Sequence, residues 1–182
     1  MRWFWFDRYL EFVSKSHAVS VKNVCMAEPY VIAYSKKSPN YPSSLVIEGM
    51  AQTAGLLLNQ TFDFKKKVVL AKIGKSKFFG FGTPGDQLMI RAEIENMQEE
   101  GAVVSCTCHC QDRLLASADL MFAYLDERFQ DVSFFDDAEL ISVLRNLHIF
   151  DIGKNKDGSP IEIPAHFLQA EQELIQTVQD HS

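Results

Sequence analysis

From Leu88 onward the chain alternates, with Leu88, Ile90, Ala92 and Ile94 interleaved with Met89, Arg91, Glu93 and Glu95. This period of two predicts a half-buried strand. Thr83-Pro84-Gly85-Asp86 ahead of it suits a type II turn, with Pro fixing the second position and Gly the third. Segments 68–79, 102–112 and 114–125 also read as strands, joined by polar turns at 98–101 and 111–113. Residues from about 17 to 31 carry Val19, Val21, Val24 and Val31 and read as extended, and Tyr34 to Pro42 reads as a loop. One stretch has another character. Ser43 to Gln60 is apolar nearly all round, the mark of a helix buried on most faces. Ser43 and Ser44 after Pro42 suit a helix start, where hydroxyls accept from the first N–H groups. Gly49 and Gly55 lower helix propensity but let another element approach closely.

The order is strand, one apolar helix, then four antiparallel strands. It predicts an α+β chain in which a long antiparallel sheet wraps round a single central helix, the hot-dog architecture. Beyond about residue 130 the pattern becomes helical. Asp136 to Leu147 carries Leu140, Val143, Leu144 and Leu147 on one stripe, Lys154 to Pro160 is a loop, and Ala165 to Val178 is amphipathic. The division expected is a hot-dog domain over 1–130 and a C-terminal helical extension over 131–182, packed on the sheet or on a neighbouring subunit.

Composition narrows the possible partners. The net charge of −6 and the shortness of the Lys65-Lys66-Lys67 run argue against nucleic acid. The aromatic N-terminus is interrupted by Asp7 and Arg8 before a signal core forms, and nothing approaches a membrane-spanning apolar run. A cytoplasmic protein is therefore expected. Of four cysteines, Cys106, Cys108 and Cys110 alternate around His109. On a strand they spread along one face rather than converging as ligands from a tight turn do, so buried packing thiols are expected and no metal. Disulfides are disfavoured by the same geometry and by a reducing compartment.

Several motifs, in order, resemble the β-hydroxyacyl-acyl-carrier-protein dehydratase family over roughly residues 3–126. Phe6-Asp7-Arg8 is similar to its opening apolar-Asp-Arg element, and Val21-Lys22-Asn23-Val24 followed by Glu28 to its first long strand. Pro42 to Leu45 and Glu48-Gly49-Met50-Ala51-Gln52 resemble P-G-V-L-x-x-E-A-M-A-Q, with Ser43 and Ser44 in place of Gly-Val. Phe78 and Pro84-Gly85-Asp86-Gln87-Leu88 match R-F-x-x-x-x-x-P-G-D-Q-L. One departure bears on chemistry. The family's H-F-P-x-x-P-x-x-P reads here from Tyr34 to Pro42, keeping Pro39 and Pro42 but placing Tyr34 where the histidine belongs; none of the five histidines fits that spacing.

The resemblance implies dehydration of a 3-hydroxyacyl thioester, with a histidine base at C2 and a helix carboxylate serving the C3 hydroxyl. Helix N–H groups lie near the thioester carbonyl, where they favour developing negative charge. Glu48 then is the acid or water-orienting group, on an apolar helix where desolvation favours the protonated form. Gln52, one turn on, is placed to hydrogen-bond it or orient a water. Tyr34 is a poor base, since only about one phenol in a thousand is ionised at pH 7, an unfavourable ~4 kcal/mol, unless Lys36 or Lys37 lowers that. Ser43 and Ser44 fall near the substrate, and Phe78, Phe79 and Phe81 are either core aromatics or the lining of an acyl tunnel. The implied partners are an acyl carrier protein or coenzyme A thioester, in fatty-acid or polyketide-type metabolism, with no cofactor. A homodimer or higher oligomer is expected, because a twin would pair the edge strand that a hot-dog chain leaves. Three readings stay open: an enzyme with an unorthodox base, a non-catalytic thioester-binding or carrier-binding protein, or the Glu-donating half of a heteromeric dehydratase whose hot-dog partner bears the histidine.

Overall fold

The alternating segments join one six-stranded antiparallel sheet. The computed structural model describes residues 4–34, 39–125 and 136–180, apart from the side chains of 32–34 and 177–180. The strands are β1 (Arg8–Val13), β2 (His17–Asn23), β3 (Val68–Phe78), β4 (Gln87–Met97), β5 (Gly101–Cys110) and β6 (Arg113–Tyr124). Their spatial order is β1-β2-β4-β5-β6-β3. Helix α2 (Ser43–Gln60) packs on one face, mainly against β2, β3, β4, β5 and β6. This is the hot-dog arrangement expected from the element order.

Strict alternation on β5 turns Ala102, Val104, Cys106, Cys108 and Cys110 inward. The thiols are packing groups: Cys106 and Cys108 are wholly buried, and burial pushes the Cys108 thiol up to about 12 and Cys106 higher still. Gly49 admits β4, since a Cβ there would meet Ile90 Cδ1 at 2.9 Å and the Trp5 carbonyl at 3.2 Å. Gly55 is different, with only Phe122 at 3.7 Å, and it faces an open groove rather than a packed element. Gly85 takes the φ of +95° that a type II turn requires, and Asp86 N–H donates to the Thr83 carbonyl at 2.9 Å.

Three expectations need correction, and one strand lies where none was expected. Residues 8–13 form a strand that the hydropathy pattern hides, because a register shift between Tyr9 and Glu11 breaks the period. The extended reading of 17–31 ends at Asn23; Pro29–Tyr34 is a short helix, α1, with proline at its first position, where its missing N–H costs nothing. Glu28 is thus off the strand. Ser43 and Ser44 do not cap α2. The residue with extended φ and ψ before the helix is Pro42, which has no side-chain cap hydrogen bond, so both serines fall inside the first turn.

A buried polar ladder pins α2 to the sheet. Thr53 Oγ1 donates to the Gly49 carbonyl at 2.8 Å, so at the 2.7 Å contact between the two hydroxyls Ser20 is the donor. Tyr9 donates its phenol hydrogen to the Thr53 carbonyl at 3.0 Å. Thr53→Val keeps the shape but strands the Ser20 hydroxyl, and should cost about 1–3 kcal/mol in urea unfolding. Adding Ser20→Ala should recover part of that loss; a double variant no more stable than the single would contradict the pairing.

The C-terminal segment forms α3 (Asp137–Asn146), α4 (Ile149–Ile152) and α5 (Ala165–Asp180). Asp136 caps α3, accepting from Glu139 N–H at 3.0 Å. Leu140, Ile141, Leu144, Leu147 and Phe167 share a buried cluster with Phe6, Tyr9 and Phe12 of the N-terminal region and Leu56 and Leu57 of α2. The segment also hydrogen-bonds to β1: Tyr9 N–H donates to Leu147 O, Lys154 N–H to Phe12 O, and Ser14 N–H to Lys154 O, at 3.0, 2.9 and 2.8 Å. The expected boundary at 130/131 lies outside the described residues.

Candidate functional site

Six residues at helical spacing, Glu48, Ala51, Gln52, Gly55, Leu56 and Asn59, form one wall of a groove of about 370 Å³. Val68 and Leu70 of β3, Phe122 of β6 and Phe4 complete the lining, so among the described residues Glu48 is the one carboxylate in a largely apolar channel. The spacing of 48, 51, 52, 55, 56 and 59 is legible from the helix period; the contribution of Val68, Leu70 and Phe122 is not, because it depends on how β3 lies against β6.

Glu48 is exposed. The burial expected of it is therefore not supplied by the described residues of its own chain. Gln52 lies in the same groove, and its carbonyl oxygen accepts the Trp5 N–H at 2.8 Å, tying the N-terminal segment to the helix. Phe78, Phe79 and Phe81 are 44%, 59% and 48% exposed, so the reading of core aromatics is wrong. They do not line the Glu48 groove within this chain. Ser43 is half-buried and Ser44 exposed at the start of α2.

The backbone of Tyr34 closes α1, while its side chain, and Lys36 and Lys37, lie outside the described residues. Around that helix a partly buried polar cluster centres on Lys22. Lys22 is ion-paired to Glu28 and lies 3.6 Å from Asp7, which also accepts from Asn23 N–H at 2.8 Å. Tyr30 stacks edge-on between Trp5 and Tyr41, at 5.0 and 6.1 Å between ring centroids. Burial first, then the Glu28 carboxylate, pushes the Tyr30 phenol up to about 12. Burial first, then Tyr30 and Glu28, pushes the Tyr41 phenol still further. Both described tyrosines of this region are thus held un-ionised at neutral pH. Tyr41 N–H donates to the Gly82 carbonyl at 2.8 Å, bringing the start of α2 against the loop that carries Phe81.

A FabA-like domain is matched over residues 5–118, ending before α3. The 3-hydroxyacyl-acyl-carrier-protein dehydratase FabZ of Streptococcus pyogenes serotype M3 is 38% identical over 118 residues, 64% of this chain and 84% of that protein. The FabZ of Caldanaerobacter subterraneus subsp. tengcongensis is 31% identical over 122 residues, 66% of this chain and 86% of that protein. Among solved structures, a Streptococcus mutans protein bound to acetyl CoA superposes with a TM-score of 0.57 at 18% identity, covering 69% of this chain and 93% of its own. The dehydratase heterocomplex ApeI:P of Xenorhabdus doucetiae gives 0.56 at 16% identity, with 76% and 88% covered.

Proposed function

Because this chain belongs to the FabA-like family and is related to the FabZ dehydratases, we propose that its groove holds an acyl thioester as the carboxylate-bearing half of a dehydratase site. One observation carries the reading: a lone, exposed carboxylate at the side of an apolar, helix-walled groove. The acyl chain lies along Ala51, Gly55, Leu56, Val68 and Phe122, and Glu48 serves the C3 hydroxyl, with Gln52 beside it. The thioester carbonyl sits toward Ser43 and Ser44, where the first N–H groups of α2 favour developing negative charge. The thioester is carried by an acyl carrier protein or by coenzyme A, in fatty-acid or polyketide-type metabolism, in the cytoplasm.

Catalysis by the chain alone is impaired, since position 34 offers a phenol where the family uses imidazole. Ionising an ordinary phenol at pH 7 costs about 4 kcal/mol. In the family the histidine and the carboxylate of one site come from different subunits, so a second hot-dog chain supplies the base. Phe78, Phe79 and Phe81 then contact the acyl chain only once that second chain closes the groove.

Gly55→Leu tests the groove directly. Its Cβ fits beside Phe122 and its outer carbons fill the channel, while the helix gains up to about 1 kcal/mol in propensity. Binding of a non-hydrolysable acyl-thioester analogue, followed by calorimetry, should weaken at least about tenfold, a loss of about 1.4 kcal/mol, with folding unimpaired. Undiminished affinity in a folded Gly55→Leu chain would remove this groove as the site.

A further inference from the structure

The family match ends at residue 118, so helices α3 to α5 lie beyond it. Among the described residues none of theirs lines the Glu48 groove. They nevertheless reach its supports at three points. Leu56, in the groove wall, belongs to the buried cluster of Leu140, Leu144 and Phe167, and Phe4 packs against the same cluster. The third point is the turn between α2 and β3.

That turn has an unusual shape. Asp63 and Phe64 are both left-handed, with φ of +51° and +60°. Asp63 N–H donates to the Gln60 carbonyl at 3.0 Å and Phe64 N–H to the Asn59 carbonyl at 2.9 Å, which ends the helix. Glycine or asparagine is the ordinary residue for such an end. A phenylalanine there crowds its Cβ against the backbone, and persists only where its surroundings hold it. The C-terminal helices do the holding. Between ring centroids, Phe64 lies 5.5 Å from Phe167 of α5 and 6.4 Å from Phe150 of α4.

Just beyond the turn, Val68 opens β3, and Val68 and Leu70 form the β3 side of the groove. A register shift between Leu70 and Lys72 sets this short stretch apart from the rest of the strand. Such a shift disrupts the ladder locally, so the turn becomes the second fixed point of the stretch. We infer that Phe64 is a positioning residue: clamped by Phe167 and Phe150, it sets the start of β3 against α2, and through it the C-terminal helices fix the width of the groove without touching it. The clamp itself rests on these contacts; its effect on acyl binding rests on the groove reading above.

Two variants cut the clamp from opposite sides. Phe64→Asn keeps a residue that accepts the left-handed turn but removes the ring. Phe167→Leu keeps an apolar side chain in the cluster but removes the ring contact, and Phe150→Ala, at a half-buried position, takes its place if that chain does not fold. The first readout needs no ligand. Methyl relaxation dispersion should show microsecond-to-millisecond exchange at Val68 and Leu70 in both variants and none in the native chain. The second readout is affinity for non-hydrolysable acetyl and decanoyl thioester analogues. Only the longer chain reaches Val68 and Leu70, so its affinity should fall at least about tenfold in each variant while the acetyl analogue changes less than about twofold. The double variant should lose no more than the larger single loss, because both substitutions cut one clamp.

Flat dispersion in both folded variants would overturn the inference. So would exchange confined to Phe64→Asn, which would make the turn independent of the C-terminal helices, or equal losses on the two analogues, which a lower folded fraction alone would produce. If exchange appears but decanoyl affinity holds, Gly55→Leu decides. Where Gly55→Leu weakens binding, the groove stands and the clamp does not set its width; where it does not, the clamp stands and the groove reading fails.

Discussion

A histidine at position 34 should raise hydration of a trans-2-enoyl thioester about a hundredfold to ten-thousandfold over the native tyrosine, the usual contribution of a positioned general base. The reason is protonation state. Imidazole, with a reference pKa of about 6.5, is largely a free base at neutral pH, whereas a phenol near 10 is almost entirely protonated. The gain belongs to the paired state, because Glu48 and residue 34 of one site come from different chains in this reading. It is therefore measured in Tyr34→His at concentrations where the chain associates, each copy offering Glu48 to one site and residue 34 to the other. Loss of enoyl absorbance gives the rate. A native pair that already turns over comparably, and loses that activity in Tyr34→Phe, would make the tyrosine itself the base.

The largest stability effect is expected at Leu57. This side chain is wholly buried, in the cluster shared with Phe6, Tyr9, Phe12, Leu140, Leu144 and Phe167. Its neighbours Ala54 and Leu58 belong to the other cluster, against β4, β5 and β6. One helix thus carries two cores, and the C-terminal segment depends on the second. Leu57→Ala should cost about 2–5 kcal/mol, the range for deleting a buried leucine whose cavity cannot collapse. Against a typical domain stability of about 5–15 kcal/mol, that is a large fraction. Urea unfolding followed by far-ultraviolet circular dichroism should show the shift; a loss below about 1 kcal/mol would mean the C-terminal helices are only loosely applied.

Much of this was readable from the residues, for identifiable reasons. Strands β4, β5 and β6 announce themselves because each buries one face against α2, which forces alternation on the sequence. Helix α2 does so because nearly every side is covered. Strand β1 escapes notice, since a register shift between Tyr9 and Glu11 breaks its period, and only Tyr9 and Phe12 of its six residues are buried. The exposure of Glu48 was not legible for a different reason. A helix position's burial depends on what lies opposite, and the described residues leave Glu48 exposed. The same holds for Phe78, Phe79 and Phe81: aromatic residues on and beyond a strand look like core until the strand proves to be an edge. The lysines of β3 were visible throughout. Their place on the last strand of the sheet needed the topology.

The central claim is that the acyl chain of a thioester lies in the groove between α2 and β3. Isotope-filtered NOE spectroscopy tests it, using a non-hydrolysable acyl-thioester analogue and protein labelled at alanine, leucine and valine methyls. Contacts between acyl methylene protons and the methyls of Ala51, Leu56, Val68 and Leu70 are predicted. Saturable binding with no contact to those methyls, or with contacts confined to Ala102 and Val103 in the separate hollow beside Met121, would contradict it.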